Sequence, residues 1–294
     1  MSTPAFLAID WGTTNRRVYA IGADGGVLAT ERDGQGLLAT PRDAYAGEVA
    51  SLRRRLGDVP VLCAGMIGSA RGWVEVPYLD CPAGLDQLAA GLRWIEPGRT
   101  AVVPGVALRD PDNPDVMRGE EVQLLGAVAS GAAPDNALLC QPGTHCKWAR
   151  IERQRIVSFS TAMTGELFSL LKANSLLAQF LDGPVKDGPD FRSGVALARQ
   201  GHALKALFGE RAGALLGLRG SGQVAARVSG LLIGEDVRGQ SLGPGETVYV
   251  LADPVLGDLY VGAIEEMGAR AVLISSHDAF VAGIDRIWRL SRER

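Results

Sequence analysis

The sequence predicts an α/β protein made of two lobes with a similar order of elements. Twice along the chain an apolar strand runs into a turn that contains glycine and threonine, first at residues 10–15 and again at residues 142–147. Strands and helices follow each turn, which is the pattern of a mixed sheet covered by helices. With 294 residues, 47% of them hydrophobic and 21% charged, the chain is long and apolar enough to bury two ordinary cores.

In the first half, three strands joined by tight turns lead into a helix. Residues 5–31 alternate apolar and polar side chains around two turns, as antiparallel hairpins do. A helix is predicted over residues 42–56. A short apolar strand, a further helix and a second short strand follow at residues 59–65, 84–92 and 100–105.

The second half repeats this order and adds helices. A helical period covers residues 115–131, and a strand at residues 136–141 turns into a hairpin at residues 146–160. A long helical stretch interrupted by Gly-Pro loops covers residues 164–234. Alternating strands and helices complete the chain at residues 246–253, 259–268, 269–275 and 277–290. The two halves share almost no identical residues, so their common order indicates a duplicated lobe with helices inserted into the second copy.

The composition of the chain excludes several classes of partner. A formal net charge of -3 and an isoelectric point near 5.7 provide no basic surface for a phosphate backbone, so we expect no nucleic-acid partner. No run of about 18 uncharged apolar residues predicts a membrane span, and the N-terminus lacks the regions of a signal peptide. We therefore expect a cytoplasmic protein without a membrane partner. Four cysteines without a CxxC pair predict neither a zinc site nor a dithiol redox motif.

The first Gly-Thr turn has the chemistry of a phosphate site. Asp10 ends the first strand, and the backbone N–H groups and hydroxyls of Gly12, Thr13 and Thr14 can converge on phosphate oxygens. A carboxylate just before such a turn can hold Mg²⁺, usually through water, because that ion keeps much of its hydration. An ordinary tight turn is the alternative, since these residue types favour turns for local reasons.

The second turn, with Gly143 and Thr144, repeats the arrangement. Lys147 follows closely and is one of only four lysines in the chain. Its compact ammonium suits a phosphate or carboxylate oxygen, although a solvated strand position explains it equally well. Considered without the other, each turn is explained well enough as an ordinary tight turn. Their matching places in the two halves favour a pair of phosphate-binding hairpins that hold one nucleotide.

Two adjacent acids, Glu120 and Glu121, lie in the helical stretch that precedes the second turn. Acids at a helix start often do no more than complement the helix dipole. Beside two phosphate-binding turns, one of them can instead accept the proton of a substrate hydroxyl that attacks a γ-phosphoryl group. Only one of the pair can point at a substrate. No Walker-type phosphate loop occurs in the sequence.

Seven segments of the chain together resemble one family of sugar-acid kinases. They read IDWGTTNRR, AGMIGSARGW, VMRGEEVQLLGA, PGTHCKW, MTGEL, SGLLIGEDV and AFVAGI, and they run from Ile9 to Ile284. The chain resembles the 2-dehydro-3-deoxygalactonokinase family, within the superfamily of sugar kinases, actin and Hsp70. VMRGEE and PGTHCKW are quite specific to that family. The resemblance implies an α/β fold of two ribonuclease-H-like lobes, residues 1–115 on the sugar-acid side and residues 116–294 on the nucleotide side, with ATP between them.

The resemblance also implies a reaction and a set of site residues. ATP would phosphorylate the C6 hydroxyl of 2-dehydro-3-deoxy-D-galactonate, with Glu120 as general base, Glu121 as the alternative base, and Asp10 as the residue that organises Mg²⁺. The residues assigned to the nucleotide are Asp10, Gly12, Thr13, Thr14, Gly143, Thr144, Lys147 and Asp253. The candidates for the sugar acid are Asn15, Arg17, Met66, Gly68, Ser69, Trp73, Arg118, His145 and Glu166.

The carboxylate of the sugar acid requires a cation, most naturally an arginine in a bidentate pair. Arg17, Arg118 and Lys147 compete for this role. A core or ion-pair role is the alternative for Arg118, and a core role is the alternative for Trp73.

One segment departs from the superfamily pattern. Members usually place a Gly-containing turn after the strand that leads to the adenosine, whereas this chain has Ala252, Asp253 and Pro254. Asp253 is expected to cap the following helix or to contact the ribose, with Pro254 in the first helical turn.

Two alternatives to the favoured reaction stay open. The first is a kinase for the gluconate epimer, since the residues that read one hydroxyl's orientation are not identified by sequence. The second is a nucleotide-switched binding protein without catalysis, which only the segment at residues 252–254 supports. A homodimer is expected from the superfamily alone.

Overall fold

The computed structural model of the protein describes residues 3–293 and confirms the α/β class. The chain forms two compact units. Unit 1 contains residues 3–136, 149–160 and 276–293, and unit 2 contains Ala137–Trp148 and Thr161–Ser275. The sequence predicts a single boundary between residues 115 and 116, whereas the chain passes from one unit to the other after residues 136, 148, 160 and 275. The division into a sugar-acid lobe and a nucleotide lobe stays a prediction.

The strands and helices follow the predicted order, with additional short strands. The strands are β1 Phe6–Trp11, β2 Arg16–Ile21, β3 Val27–Asp33, β4 Val61–Gly65, β5 Leu79–Asp80, β6 Arg93–Glu96, β7 Thr100–Val102, β8 Val106–Leu108, β9 Asp115–Met117, β10 Ala137–Gln141, β11 Cys146–Glu152, β12 Arg155–Ala162, β13 Thr247–Leu251 and β14 Arg270–Ile274. The helices are α1 Tyr45–Leu56, α2 Leu85–Ala90, α3 Glu120–Ala129, α4 Thr164–Asn174, α5 Pro189–Ala198, α6 Ala203–Leu215, α7 Ser221–Gly239, α8 Pro254–Glu266 and α9 Ser276–Arg292.

Unit 1 is built on a six-stranded sheet in the order β3-β2-β1-β4-β7-β6. The first three strands form the predicted antiparallel hairpins, while β4 lies parallel to β1 and β7 lies parallel to β4. All five residues of β4 are buried, as expected for a central strand covered on both faces. In α1, Tyr45, Val49 and Leu52 recur at helical spacing and pack against Leu7 and Ile9 of β1. The sheet thus presents the carboxyl end of β1, where Asp10 lies, on a rigid core.

The helix predicted over residues 115–131 is shorter than expected. Residues 115–117 form β9, which pairs antiparallel with β8, and α3 begins only at Glu120. Gly119 has φ +109°, a conformation outside the helical region that glycine adopts without strain. The chain therefore turns sharply at Gly119, and Glu120 becomes the first residue of the helix.

The second sheet has the order β12-β11-β10-β13-β14, with β10, β13 and β14 parallel to one another. Strands β10 and β11 enclose the second Gly-Thr turn, as predicted. In unit 2, apolar side chains of α5, α7 and α8 pack with those of β10 and β13 around Phe191, Val250 and Ile264. None of the helices in residues 3–293 combines the length and hydropathy that a membrane span requires.

Candidate active site

The first Gly-Thr turn joins β1 to β2 in unit 1. The Gly12 N–H donates to the carbonyl oxygen of Asn15 at 2.9 Å and closes the turn. The N–H groups of residues 37 and 38 donate to the carbonyl oxygens of Gly12 and Thr13, each at 3.0 Å, so a distant segment of the chain supports the turn. Thr13, Thr14 and Asn15 are exposed. The hydroxyls of this turn are accordingly open to a ligand while its backbone is fixed.

Asp10 lies beside this turn, close to charges of both signs. Its partner in the strand register is Arg17 of β2, with 4.0 Å between Asp10 Oδ2 and Arg17 Nη1. The pKa of Asp10 is raised to about 6: burial is the main cause, the charge of Arg17 opposes it, and the charge of Glu120 adds a smaller upward shift. A carboxylate held close to a second carboxylate in this way is stabilised in its charged form when a cation binds.

Glu120 reaches this position because two glycine backbones approach closely. A Cβ on Gly65, at the end of β4, would lie 2.6 Å from the carbonyl oxygen of Trp11, and a Cβ on Gly119 would lie 3.1 Å from the Cα of Gly65. The start of α3 therefore packs against the ends of β1 and β4. Glu120 is partly exposed there, and its Oε2 accepts the Arg118 N–H at 3.0 Å.

Glu121 has a different environment from its neighbour. It is fully buried, and its Oε1 and Oε2 lie 2.9 and 2.7 Å from the backbone nitrogen of Gly119, which donates to them. Burial raises the pKa of Glu121 to about 8, with the charge of Glu120 as a further cause. A buried acid engaged with the start of its own helix is poorly placed to meet a substrate, so the environments favour Glu120 as the base.

Arg118 is buried with only part of its guanidinium satisfied. Its side chain lies over the ring of Tyr78, 4.3 Å from the centroid, and its Nη2 donates to the carbonyl oxygen of Val76 at 2.7 Å. Within the described part of the chain, Nε and Nη1 have no hydrogen-bond partner. Buried polar groups are nearly always paired, so these two nitrogens indicate a missing acceptor such as a ligand or a water.

The predicted sugar loop, residues 66–73, adjoins Arg118. A Cβ on Gly68 would lie 2.9 Å from Arg118 Nη1, so the guanidinium packs closely on this glycine. Met66 and Gly68 lie in a short 3₁₀ turn, where the Ser69 hydroxyl donates to the carbonyl oxygen of Met66 at 2.7 Å. Trp73 stacks on Tyr45 with 6.2 Å between ring centroids.

The second Gly-Thr turn is supported by the start of α4 in unit 2. The Glu166 N–H donates to the carbonyl oxygen of Thr144 at 2.9 Å. His145 Nε2 and Glu166 Oε2 lie 2.6 Å apart, and both side chains remain partly exposed. The structure thus brings together Thr144, His145 and Glu166, which the sequence could only propose separately.

Lys147 and Asp253 differ from the simplest expectation. The Lys147 side chain is 5% exposed and donates to the hydroxyl of Thr161 at 2.6 Å, so its ammonium is buried and not open to solvent. Asp253 occupies the N-cap position of α8 and Pro254 the first turn, as predicted, but the Asp253 side chain makes no capping hydrogen bond. Asp253 is exposed, with its backbone in the extended region.

A pocket of about 210 Å³ adjoins the second turn. Its walls are largely apolar, with three hydroxyl-bearing residues among them, which suits a flat, weakly polar ring. The lining residues are Gly143, Thr164, Gly165, Phe168, Val185, Ser229, Leu232, Ile233, Leu256, Leu259 and Tyr260.

One buried acid of this region, Asp236, was not singled out from sequence. It lies in the segment SGLLIGEDV of α7 and accepts hydrogen bonds from Trp148, Thr164 and Tyr260. An acid in an otherwise apolar helical run was the available signal, but its partners come from three distant segments of the chain. Only the fold identifies them.

Comparisons with known proteins agree with this arrangement. The sequence model of the 2-keto-3-deoxy-galactonokinase family matches residues 10–287. The chain is 35% identical to the probable 2-dehydro-3-deoxygalactonokinase of Rhizobium meliloti (strain 1021) and 34% identical to the 2-dehydro-3-deoxygalactonokinase of Escherichia coli (strain K12), in both cases over 97% of this chain and 98% of the relative. A crystal structure of a protein from Sinorhizobium meliloti superposes with a TM-score of 0.90 at 33% identity, over 97% of this chain and 98% of the other.

These similarities extend over both units and include every segment that carries a proposed site residue. The two-lobed fold of sugar kinases, actin and Hsp70 that the sequence predicts is confirmed. The protein is a carbohydrate kinase and uses ATP. The chain belongs to the 2-keto-3-deoxy-galactonokinase family.

Proposed function

We propose that the protein transfers the γ-phosphoryl group of ATP to the C6 hydroxyl of 2-dehydro-3-deoxy-D-galactonate. The observation that carries the proposal is the pair of carboxylates, Asp10 and Glu120, beside the exposed Gly12–Thr14 turn of unit 1. One carboxylate suits a metal ion and the other suits a proton, which are the two needs of phosphoryl transfer to an alcohol. The names of the two relatives support the choice of acceptor.

Glu120 is proposed to act on the acceptor hydroxyl. As the C6 oxygen forms its bond to the γ-phosphorus, the bond from that phosphorus to the β–γ bridging oxygen breaks, and the hydroxyl proton passes to the Glu120 carboxylate. The partial exposure of Glu120 leaves it accessible to the hydroxyl, and the Arg118 N–H fixes its Oε2. Because phosphoryl transfer proceeds through a loose transition state, we expect orientation of the hydroxyl to matter more than early removal of its proton.

The donor set of unit 1 fits Mg²⁺. No group of three His, Cys, Asp or Glu residues in the described part of the chain could hold a metal by protein ligands alone. Mg²⁺ normally binds through one or two carboxylates together with waters and substrate phosphates, so Asp10 with Glu120 nearby is sufficient. When bound, Mg²⁺ neutralises charge on the phosphate oxygens during transfer. Asp10 is the residue proposed to hold it.

The sugar acid is proposed to place its carboxylate on Arg118. This guanidinium has two unsatisfied nitrogens and adjoins the loop of Met66, Gly68 and Ser69. Arg17 faces Asp10, and Lys147 donates to Thr161, so neither is as well prepared for a carboxylate. Asn15, Trp73, His145 and Glu166 remain candidates for the hydroxyls of the sugar acid.

The nucleotide is proposed to use both Gly-Thr turns, with its adenine in the pocket beside Gly143. Thr13, Thr14 and Thr144 are exposed and offer hydroxyls to the phosphates. The pocket lies next to the start of α8, where Asp253 is exposed and can reach a ribose hydroxyl. Lys147 is proposed to support the turn indirectly, through the hydrogen bond that its ammonium donates to Thr161.

Two properties accompany this proposal. An ATP-dependent reaction on a sugar acid requires a compartment that supplies ATP, which supports a cytoplasmic location. A homodimer is proposed from the superfamily, and light scattering at several protein concentrations tests it.

The deciding experiment measures ADP formation from Mg-ATP in a coupled assay with three acceptor conditions. These are 2-dehydro-3-deoxy-D-galactonate, its gluconate epimer and no acceptor. Fast turnover with the galactonate compound alone supports the proposal in full. Comparable rates with both epimers would keep the kinase and remove the specificity. Absence of acceptor-dependent ADP formation, with ATP binding retained, would favour the nucleotide-switched binding protein.

A further inference from the structure

Asp236 is a buried carboxylate surrounded by neutral hydrogen-bond donors. The residue lies on α7 and is 8% exposed. Oδ1 accepts from Trp148 Nε1 at 2.8 Å, and Oδ2 accepts from the hydroxyls of Thr164 at 2.8 Å and Tyr260 at 2.7 Å. Within residues 3–293, no lysine or arginine forms an ion pair with this carboxylate.

A charge buried without a counter-ion costs free energy, and here neutral donors alone offset that cost. The contrast within unit 2 is Glu210 on α6, which is 1% exposed and lies 2.9 Å from Arg227 and 3.4 Å from Arg219. Glu210 therefore forms ordinary buried ion pairs with these two arginines. Asp236 instead collects one hydrogen bond from each of three elements, which is the arrangement of a residue that fixes their relative positions.

Two of the three donors, Trp148 and Thr164, lie in segments that adjoin the second Gly-Thr turn. Trp148 lies on β11, the strand that continues from the turn, and Thr164 is the first residue of α4. The next residue, Gly165, packs so closely on the turn that a Cβ there would lie 2.4 Å from the carbonyl oxygen of Gly143. The following N–H, from Glu166, donates to Thr144. A shift of Thr164 would therefore move the turn.

Asp236 also supports the adjoining pocket. Thr164 and Tyr260, which both donate to its Oδ2, line the pocket of about 210 Å³ together with Gly143. Asp236 thus accepts hydrogen bonds from residues that adjoin the Gly143–Thr144 turn and line the pocket, while its own carboxylate stays buried.

We propose that Asp236 is a positioning residue for the nucleotide: through Thr164 and Tyr260 it holds the Gly143–Thr144 turn and the adjoining pocket in their binding geometry. This inference rests on the proposed use of that turn and pocket by ATP. It assigns no contact with the substrate to Asp236. Its consequence is that loss of the Asp236 hydrogen bonds weakens nucleotide binding more than binding of the sugar acid, whose proposed carboxylate ligand, Arg118, belongs to unit 1.

The test compares Thr164→Val, Thr164→Ser and Asp236→Asn in the full chain. Valine keeps the size of threonine but removes the hydroxyl, whereas serine keeps the hydroxyl. Asparagine keeps the shape of Asp236 but offers one acceptor oxygen instead of two. We expect Thr164→Val and Asp236→Asn to weaken ADP binding about tenfold in calorimetry and to raise the KM for ATP similarly, as loss of one or two hydrogen bonds does. Thr164→Ser should bind ADP like the wild type.

The matched control is Glu210→Gln, which disturbs a buried carboxylate in the same unit away from the turn. We expect it to lower the thermal midpoint with no change in ADP affinity and to keep the KM for the sugar acid within about twofold. If Asp236→Asn and Thr164→Val lost stability as Glu210→Gln does while binding ADP normally, Asp236 would be structural only and the inference would be wrong. Because ADP binding is read without the acceptor, that outcome is distinct from a failure of the proposed reaction, which the acceptor comparison with wild-type protein reveals.

Discussion

The two Gly-Thr turns have a similar local sequence but different surroundings. The first, at residues 12–14, lies beside Asp10 and Glu120, two acids close enough for one to raise the pKa of the other. The second, at residues 143–144, has behind it a buried lysine hydrogen-bonded to a threonine and a buried aspartate hydrogen-bonded to neutral donors. On our proposal, the first turn therefore serves a metal ion and a proton, and the second holds a phosphate in place.

On our proposal, two turns with the same sequence motif have different roles. Each turn is held by backbone contacts from elsewhere in its unit: Gly36 and the residues after it in the first case, Gly165 and Glu166 in the second. These backbone contacts are of the same kind in both turns, but the charged groups near the two turns differ. Although both turns are proposed to contact phosphates, changes at the first turn should therefore act more on turnover, and changes at the second should act more on nucleotide affinity.

The largest expected effect is the loss of either carboxylate at the first turn. Glu120→Gln removes the proton acceptor, and Asp10→Asn removes the proposed metal ligand, so we expect kcat to fall by about 10²-fold or more in each variant. ADP binding without Mg²⁺ should change little, as calorimetry will check. Wild-type turnover in Glu120→Gln would show that another group receives the proton.

A matched pair of alanine substitutions compares the supports of the two turns. A Cβ on Gly36 would lie 2.4 Å from the carbonyl carbon of Thr14, and a Cβ on Gly165 would lie 2.4 Å from the carbonyl oxygen of Gly143. Because backbone must move in both cases, we expect each alanine to cost about 1–3 kcal/mol of unfolding free energy. Gly36→Ala should mainly lower kcat, whereas Gly165→Ala should mainly raise the KM for ATP.

Gly47→Ala in α1 and Gly209→Ala in α6 are the controls for that pair. Both lie in helices, and among the described residues no atom outside the local helix backbone lies within 4 Å of a Cβ built at either position. Alanine should stabilise each by about 0.5–1 kcal/mol without changing the kinetics. Equal kinetic effects of Gly36→Ala and Gly165→Ala would contradict the division of roles.

Much of this architecture follows from local sequence. The hairpins around residues 12–15 and 142–145, the buried strand before Gly65 and the closing helix α9 all have the periodicity that their environment requires. The extent of α3 was predicted incorrectly because apolar periodicity continues through β9, and only the φ of Gly119 interrupts it. A backbone conformation of this kind is decided by packing, here against Gly65.

The candidate site was predictable in its residue types and only partly in its geometry. Glycine, threonine and acid at strand ends are enough to make Asp10, Thr13 and Thr144 candidates from the sequence alone. Sequence does not tell Glu120 from Glu121, because their difference is the burial of one side chain. Nor does it reveal the unsatisfied guanidinium of Arg118 or the donors of Asp236, which come from segments far apart in the chain.

A smaller effect is expected on stability at the first turn. The folded pKa of Asp10, about 6, lies above the ordinary value of 3.8, so the folded chain keeps a proton that the unfolded chain loses as pH rises from 4 to 6. The contribution of Asp10 to the free energy of unfolding therefore falls by about 2 kcal/mol as the pH rises across that window. Asp10→Asn should remove the dependence and raise the thermal midpoint at pH 7.5 but not at pH 4. Asp112→Asn, in an exposed loop of unit 1, is the control and should stay within about 0.5 kcal/mol of the wild type.

The smallest effect on turnover is expected at Glu121. Its pKa of about 8 leaves it largely protonated at neutral pH, and glutamine copies that form while still accepting the Gly119 N–H. Glu121→Gln should therefore keep kcat within about threefold at pH 7, in contrast to Glu120→Gln. The unfolded chain loses the Glu121 proton near pH 4.5 and the folded chain near pH 8, so wild-type stability should decline relative to Glu121→Gln between these values. Thermal midpoints of both proteins from pH 5 to pH 8 measure this difference. A loss of turnover in Glu121→Gln as large as that in Glu120→Gln, with the fold intact, would instead make the two acids a functional pair, and the buried member could no longer be regarded as structural.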